Sequence, residues 1–333
     1  MEIQLYQSTN SSDVLPYVPL RTEQVPQKQR SIIEANTTGV ELNHLISDCT
    51  IPVFAKDNER TISHQEFIEA AMEAVQDTLG VRADILPEIR VSHPIKGRIP
   101  DAIHKSAHAL LDHEKTIYYE RMAFAISLDG FRKNLGGNEL SLTIGGVRSY
   151  NHENLYNKKS LEHFKFFIGF KNLVCCNMCI STDGAKDDLR VGSVQELLSK
   201  MVQIIRGYQM TAHLDRLQHW TEQHLTERQF AQILGKCRLY QHLPKEDKLY
   251  IPSLLFNDTQ INEVARAYFQ DQAFSRHVDG RINLWKVYNL FTGANKSSYI
   301  DLFLTRGVNA SVLIEGISEA LDSSASPYRW YLE

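Results

Sequence analysis

The sequence predicts an α+β fold in which an antiparallel, meander-like sheet occupies the middle of the chain and a largely helical C-terminal half packs against it. Two observations support this prediction. Strand-like segments joined by glycine and asparagine turns precede residue 190, and apolar residues recur at intervals of three and four after residue 193. Strands joined by turns form antiparallel sheets, one face of which packs on helices. We expect a polar N-terminal arm (residues 1–38), an α+β sheet region (39–190) and a helical region (191–333), the last two packed as one unit.

The first elements are expected to be a hairpin, a helix and four strands. The run 51–62 predicts two strands around a turn. Ser63 and Glu66 form an S-x-x-E capping box, which predicts a helix that begins at Ser63 and ends at Gly80. Candidate strands follow at 88–93, 117–128, 139–150 and 164–180, with a short helix over 101–113 between the first two.

The apolar periodicity of the C-terminal half predicts five helices. Thr226 is the expected N-cap of the second, and Gly293 the expected C-cap of the fourth. Lys296, with the serine after it, invites a phosphate-loop interpretation, but Asn295 stands where the Walker pattern requires glycine. The predicted helices cover 193–220, 226–242, 258–269, 282–291 and 309–321.

The composition is typical of a folded protein of the cell interior. Hydrophobic residues make up 43% of the 333 residues and charged residues 23%, both near globular averages. Five cysteines without a regular framework fit a reducing cytosol. The first residues lack the basic and apolar regions of a signal peptide, and no run approaches the ~20 apolar residues that span a bilayer. We therefore expect a cytoplasmic protein with no membrane partner.

Two patterns in the sequence suggest metal binding. Cys176 and Cys179 have C-x-x-C spacing, but they lie in an apolar run without a second pair, which favours buried structural thiols. His104 and His108 stand at i and i+4, with His93 before them, and this spacing can present two imidazoles to one metal. No glutamate follows His104 as in H-E-x-x-H. We expect no cofactor and no metal, and keep His93, His104 and His108 as the candidates should one bind.

Cations and aromatic rings are interleaved in the sheet region. Residues 81–181 hold fourteen Lys and Arg against ten Asp and Glu, whereas the whole chain has a net charge of −4. Such a mixture can follow a phosphate backbone while rings stack on unpaired bases. Strand alternation also allows the rings to face a core and the lysines to face water. The candidate contacts are Lys96, Arg98, Lys115, Arg121, Arg148, Lys158, Lys159, Lys165 and Lys171, with Tyr118, Tyr119 and Tyr150 as stacking rings.

Five long segments together resemble the bacterial family called domain of unknown function 3871. The resemblance extends from about residue 85 to 322, and it implies no activity because none is assigned to the family. The segments are VSHPIKGRIPDAIHK (91–105), EKTIYYERMAFAI (114–126), LYNKKSLEHFKFFIGFKNLVCCNMCISTDG (155–184), LTERQFAQILGKCRLYQHLP (225–244) and NLWKVYNLFTGANKSSYID (283–301).

Two shorter pieces are similar to the phage and plasmid family called domain of unknown function 932. Residues 171–177 resemble its strand that ends in V-C-x-N, and Trp285, Tyr288, Asn289 and Thr292 resemble its W-x-x-Y-N-x-x-T helix. This resemblance implies a mobile-element context and kinship to single-strand annealing recombinases.

The leading hypothesis is therefore a non-enzymatic nucleic-acid-binding protein of a plasmid, prophage or conjugative element. It would bind or anneal single-stranded DNA in recombination, with a homo-oligomer as a further possible partner. Two alternatives stay open. One is a protein-interaction module that modulates a host or rival-element machine, and the other is a metal-dependent enzyme on the histidine cluster.

Overall fold

The computed structural model describes residues 31–49, 61–81, 86–150 and 161–333. Within these ranges an antiparallel, curled sheet lies in the N-terminal half and helices fill the C-terminal half, which confirms the predicted fold class. Residues 1–30 of the predicted arm, residues 51–60 of the predicted hairpin, and Lys158 and Lys159 lie outside the described residues.

The main sheet has seven strands in the described part of the chain. Its order is β1-β2-β5-β6-β7, and the far edge of β7 pairs with both β8 and β9. All the pairings are antiparallel, and the consecutive strands β5, β6 and β7 form the predicted meander. In chain order the strands are β1 (Thr38–Val40), β2 (Glu88–Val91), β3 (Pro94–Arg98), β4 (Lys115–Tyr119), β5 (Arg121–Leu135), β6 (Asn138–Ser149), β7 (Glu162–Asn172), β8 (Met178–Cys179), β9 (Ala185–Val191), β10 (His224–Leu225) and β11 (Ile282–Asn283).

The strand predicted over 117–128 belongs to two sheets. Its first residues lie in β4, which pairs with β3 in a separate two-stranded ribbon. The remainder lies in β5, which pairs with β2 and β6 in the main sheet. The single residue Glu120 separates them, and no turn residue marks the change. Strand propensity is continuous here, so the sequence does not show that the chain leaves one sheet for another.

The helices of the described regions include two N-terminal ones and a group that follows β9. Ser63 forms the predicted capping box, and Thr226 is the predicted N-cap and also forms a capping box with Gln229. Gly293 is not a C-cap as predicted, because the helix continues to Asn295 and its C-cap Lys296 keeps right-handed backbone angles. The helices are α1 (Leu42–Ser47), α2 (His64–Leu79), α3 (Val194–Gly207), α4 (Met210–Glu222), α5 (Glu227–His242), α6 (Lys245–Lys248), α7 (Asp258–Gln270), α8 (Leu284–Asn295) and α9 (Ile300–Asp322).

Three helix predictions differ from the structure. The helix predicted over 309–321 is longer, because α9 begins at Ile300. The segment 101–113 forms three short 3₁₀ turns, Pro100–Ala102, Ala107–Ala109 and Asp112–Glu114, instead of a helix. Most of its side chains are exposed, and without an apolar face to pack, a short helix has little to stabilise it. The helix predicted over 193–220 is broken at Tyr208, whose backbone is extended, so that α3 and α4 meet at a corner.

Both faces of the main sheet are buried. Helices α2 and α3 cover one face, where Phe67 of α2 meets the rings of Phe124 and Phe164 edge-on. This hydrophobic cluster continues into the C-terminal helices and includes Trp285 and Ile314. The start of α9 covers the other face and joins a second cluster. The sheet is therefore a central layer that contacts helices on both sides.

Two adjacent glycines of β6 lie against aromatic rings on opposite faces of the sheet. A Cβ atom at Gly146 would lie 2.3 Å from Cζ of Phe67, and one at Gly145 would lie 2.4 Å from Cζ of Phe167. Contacts this short do not occur for real Cβ atoms, so the pair of glycines is required by close packing on the two faces.

Residues 31–35 lie against the second face of the sheet. Ile32 and Ile33 are fully buried in the cluster formed with β5, β6, β7 and α9. The backbone N–H of Glu34 donates to the carbonyl oxygen of Lys296 at 2.9 Å, and the N–H of Ile32 donates to Glu88 Oε1 at 2.9 Å. The end of the polar segment 1–38 is thus part of the packed structure.

In the described residues, no helix combines the length and the apolar character that crossing a bilayer requires.

Candidate nucleic-acid interface

The β3–β4 ribbon carries three of the predicted cations on one face. In its register Lys96 lies opposite Ile117, and Arg98 lies opposite Lys115. Residues that face each other across antiparallel strands share a side of the sheet, as do residues two apart along a strand. Lys96, Arg98 and Lys115 therefore project from the same side, which we call the ribbon face. Lys96 and Lys115 are exposed, and Arg98 is partly exposed.

Two of the ribbon-face cations have partners in the loop between the strands. Lys115 Nζ lies 2.7 Å from Oδ1 of the exposed Asp112, and the Arg98 guanidinium donates to the carbonyl oxygen of Lys105. Lys96 makes no hydrogen bond or ion pair with the residues that the structure describes. Exposed ion pairs contribute little free energy, and a guanidinium with one bond retains four other N–H donors. The ribbon face keeps hydrogen-bond donors available for an anion.

The predicted stacking ring Tyr118 lies on the opposite side of the ribbon. It faces Ile95 across the strands and shares that side with Thr116. The Tyr118 ring is half-buried and meets the Tyr150 ring edge-on, with centroids 6.5 Å apart. The register therefore separates Tyr118 from the cations of the ribbon face.

Arg148 and Tyr150 lie inside the protein. The Arg148 guanidinium donates to the carbonyl oxygen of Ile62 and to the Glu162 carboxylate, and its side chain is fully buried. Its Cζ lies 4.5 Å from the Tyr150 ring centroid and 4.2 Å from that of Phe164. A guanidinium held in this way stabilises the fold and is not accessible to a phosphate. Arg148 and Tyr150 are therefore not part of the ribbon face.

Tyr119 and Arg121 flank the junction between the ribbon and the main sheet. The Tyr119 ring is buried, and its hydroxyl lies 2.9 Å from Nε2 of His44. The Arg121 backbone N–H donates to Ser92 Oγ at 3.2 Å, and its Nε atom is buried. Tyr119 lies two residues from Ile117 and so on the same side of the ribbon as Lys96, but its ring is buried and is not open to a base. Arg121 lies beyond the ribbon, at the start of β5.

The two lysines of β7 are held by neighbouring elements. Lys165 Nζ donates to the carbonyl oxygen of Asp301 at 2.9 Å and to Thr305 Oγ1 at 3.0 Å, which ties β7 to α9. Lys171 Nζ lies 2.6 Å from Glu88 Oε2. Although burial opposes it, the Lys171 ammonium keeps the pKa of Glu88 below its ordinary value. These lysines join elements of the fold, whereas Lys158 and Lys159 lie outside the described residues.

The metal-binding candidates do not come together in a site. His93, His104 and His108 are exposed on the ribbon and its loop. Throughout residues 31–49, 61–81, 86–150 and 161–333, no group of three or more His, Cys, Asp or Glu side chains is arranged to hold a metal ion.

The cysteine run and the segment around Lys296 are structural. Cys175 and Cys179 are buried, and burial raises the pKa of the Cys175 thiol to about 11. The Lys296 ammonium donates to the carbonyl oxygen of Cys175 and lies 3.6 Å from Glu34. It therefore points into the protein, where a nucleotide phosphate does not reach it.

A buried polar cluster joins the chain after β8 to the α3–α4 corner. His213 Nδ1 lies 2.6 Å from the Tyr208 hydroxyl and 3.3 Å from Ser181 Oγ. Asp183 Oδ2 accepts from the backbone N–H of Gln209 at 3.0 Å. Burial lowers the pKa of His213 to about 3. Serine, histidine and tyrosine are also the residue types of hydrolytic sites, but here both Ser181 and His213 are buried, so the cluster fixes the corner.

Sequence reasoning missed a second cationic surface, between β9 and α3. Lys186 and Arg190 of β9 and Lys200 of α3 line one groove. Asp187 and Asp188 also belong to β9. The sequence indicates this surface only weakly, because its three cations are spread over fifteen residues. Two acidic residues also stand between Lys186 and Arg190. Only the pairing of β9 with β7 and the position of α3 bring them together.

Comparison with protein families gives one match, to the model described as "Domain of unknown function, B. Theta Gene description (DUF3871)", over residues 19–332. The match is wider than the resemblance over 85–322 and includes Ile32 and Ile33. No curated protein and no solved structure matches the chain. The family model covers nearly all of the sequence, including the sheet, the ribbon and the helical half, and the chain therefore belongs to the family of domain of unknown function 3871.

Proposed function

We propose that this protein binds nucleic acid on the ribbon face. The resemblance to domain of unknown function 932, which implies kinship to single-strand annealing proteins, favours single-stranded DNA as the form that it binds. The observation that carries the proposal is the β3–β4 register, which places Lys96, Arg98 and Lys115 on one accessible side of a ribbon that pairs with no strand of the main sheet in the described residues. Clustered Lys and Arg bind phosphates by releasing the counterions condensed on the nucleic acid.

The position of Tyr118 limits the kind of recognition expected. Base stacking beside the phosphate contacts requires rings on the same surface as the cations, and Tyr118 lies on the other side. Contacts to phosphates carry no sequence information. Binding through the ribbon face should therefore depend strongly on salt and weakly on sequence.

The test is fluorescence polarisation of a labelled oligo-dT and of a duplex of equal length across a salt series. A duplex is the informative comparison, because its major groove admits a two-stranded β-ribbon. In a Lys96→Gln/Lys115→Gln variant we expect weaker binding, and the slope of log K against log salt should become shallower by about 1.4, at about 0.7 per lost contact to a single strand.

A matched control removes two exposed cations from the helical half. In the Lys245→Gln/Arg266→Gln variant the change in net charge is the same, but the cations lie on α6 and α7. Equal slopes for the two variants would place binding elsewhere, and salt-insensitive or absent binding by the wild type would end the proposal.

A role in a mobile element is a further part of the proposal, and it rests on the resemblance to domain of unknown function 932. The residues of that resemblance, Trp285, Tyr288, Asn289 and Thr292, are buried in α8, so they support the fold and do not contact a ligand. We propose that the protein anneals complementary strands as a homo-oligomer. A strand-annealing assay, with electron microscopy for rings or filaments on DNA, tests this. A monomer that binds DNA without accelerating annealing would remove the recombination role and leave the binding role intact.

A further inference from the structure

The groove between β9 and α3 has a volume of about 380 Å³. Strand β9 lies along the edge of β7, and α3 packs beside it. Leu189 and Ile204 supply the apolar part of the groove, and Lys186, Arg190 and Lys200 supply its positive charge. One carboxylate, that of Asp188, also lines it. The lining thus has two more positive than negative charges.

The cations of the groove retain unused hydrogen-bond donors. Lys200 Nζ is held by the carbonyl oxygen of Arg190 at 2.6 Å and by Glu196 Oε1 at 2.8 Å, which leaves its third proton. Arg190 uses Nε to pair with Asp188 at 2.8 Å, and its two terminal nitrogens make no hydrogen bond with the described residues. Lys186 is exposed and makes no hydrogen bond or ion pair with the described residues.

We propose that this groove binds a phosphate group. Arg190 would present its terminal nitrogens as a fork, the arrangement that suits two phosphate oxygens. Lys186 and Lys200 would add charge from opposite sides, since one projects from the strand and the other from the helix. Gln203, also in the lining, is a neutral donor for a third oxygen.

The phosphate has two possible sources, a nucleic-acid backbone or a small phosphorylated compound. The nucleic-acid source rests on the function proposed above, and the position of the groove favours it. Leu189, Phe164, Arg148 and Met122 form one row across β9, β7, β6 and β5, and the residue before Met122 follows the ribbon. At about 4.8 Å per strand the groove lies about 14 Å along the sheet from β5. The groove therefore lies near the end of the sheet at which β5 follows the ribbon.

The experiment compares the wild type with a Lys186→Gln/Arg190→Gln variant and uses two probes. One is labelled oligo-dT, measured by polarisation across a salt series, and the other is inorganic pyrophosphate, measured by titration calorimetry. Lys200 is left in place because it bonds to the backbone of β9. The control is Lys245→Gln/Arg266→Gln. Arg266 is 62% exposed and pairs with Glu263 at 2.7 Å, much as Arg190 is 60% exposed and pairs with Asp188 at 2.8 Å.

If the groove binds phosphate, pyrophosphate should bind to the wild type and to the control, and about tenfold more weakly to the groove variant. A salt slope for oligo-dT that is shallower by about 1.4 in the groove variant would identify the backbone as the source. An unchanged slope with loss of pyrophosphate binding would identify a small phosphorylated compound.

The outcomes separate this site from the proposed function. If the wild type binds no oligo-dT, the proposed function fails, and pyrophosphate alone decides the groove. The Lys96→Gln/Lys115→Gln variant should keep its affinity for pyrophosphate. Equal behaviour of the groove variant and the control with both probes would overturn the phosphate site, and thermal unfolding confirms that each variant is folded.

Discussion

The side-chain amide of Asn177 donates to the carbonyl oxygen of Asn289 at 3.0 Å and to its Oδ1 at 3.2 Å. Both residues are buried, and Asn289 Nδ2 in turn donates to the carbonyl oxygen of Trp285 at 2.9 Å. Asn177 ends the piece that resembles V-C-x-N, and Asn289 belongs to the piece that resembles W-x-x-Y-N-x-x-T. The two asparagines are 112 residues apart in sequence, and their contact joins the segment before β8 to α8.

Breaking this contact should destabilise the protein. Asn177→Ala leaves the buried carbonyl oxygen and Oδ1 of Asn289 without their donor, which costs about 1–3 kcal/mol of the free energy of unfolding. Asn289→Ala removes Oδ1 but keeps the carbonyl oxygen, so the loss through this contact should be smaller. The double variant should lose less than the sum of the single losses, as measured by urea denaturation in a double-mutant cycle. Asn262→Ala on the exposed side of α7 is the control. Additive losses would mean that the two amides do not interact.

Replacement of Arg148 should lower the free energy of unfolding rather than the affinity for DNA. Arg148→Met leaves the Glu162 carboxylate without the guanidinium, and removing one member of a buried ion pair costs about 3–5 kcal/mol. Adding Glu162→Gln should recover part of this loss because no uncompensated charge remains. If Arg148→Met kept the wild-type urea midpoint and lost only DNA affinity, Arg148 would be a surface contact after all.

A methyl group at Gly146 should disrupt the sheet. Gly146→Ala places a Cβ against the Phe67 and Phe124 rings, and overpacking of this kind costs about 3 kcal/mol. Gly130→Ala, in β5, meets nothing within 4 Å and should have little effect. Thermal unfolding of the two variants measures the difference, and similar melting temperatures would contradict the close packing of β6.

Acidification should weaken the fold through two buried histidines. Burial lowers the pKa of His213 to about 3, and burial with the Arg148 charge lowers that of His64 to about 3. Below pH 6.5 the unfolded chain binds protons that the folded chain does not. The free energy of unfolding therefore falls as the pH falls towards 3, by up to about 1.4 kcal/mol per pH unit for each histidine.

Urea denaturation between pH 7 and pH 5 measures this dependence while most carboxylates remain ionised. His213→Gln keeps a side chain that can bond to Tyr208 and should remove about half of the slope. His108→Gln, on the exposed loop of the ribbon, is the control for the replacement of a histidine by glutamine. A slope that His213→Gln does not alter would show that folding does not lower the pKa of His213.

Local signals predicted the elements better than they predicted exposure. The capping box at Ser63 and the N-cap at Thr226 each depend on residues within three positions, and both predictions are confirmed. The turn at Gly136 and Gly137 has the positive φ angles that glycine permits. Exposure is different, because both faces of β6 are covered and alternation cannot separate inside from outside. The sequence around Arg148 therefore did not distinguish this buried cation from an exposed one such as Lys96.

The candidate surfaces depended on contacts distant in sequence. The ribbon face required the register of β3 with β4, and the break between β4 and β5 had no marker in the sequence. The groove required β9 to lie at the edge of β7 with α3 beside it. Its cations are too far apart along the chain to form a motif, so composition alone did not reveal them.

The burial of Ile32 and Ile33 bears on how the protein can be shortened. Removal of residues 1–30 leaves these side chains on the sheet. Removal of residues 1–38 exposes the apolar surface that they share with Ala125, Val147 and Phe303. Contiguous exposed apolar surface promotes aggregation. A protein that begins at residue 31 should therefore stay in solution, and one that begins at residue 39 should precipitate.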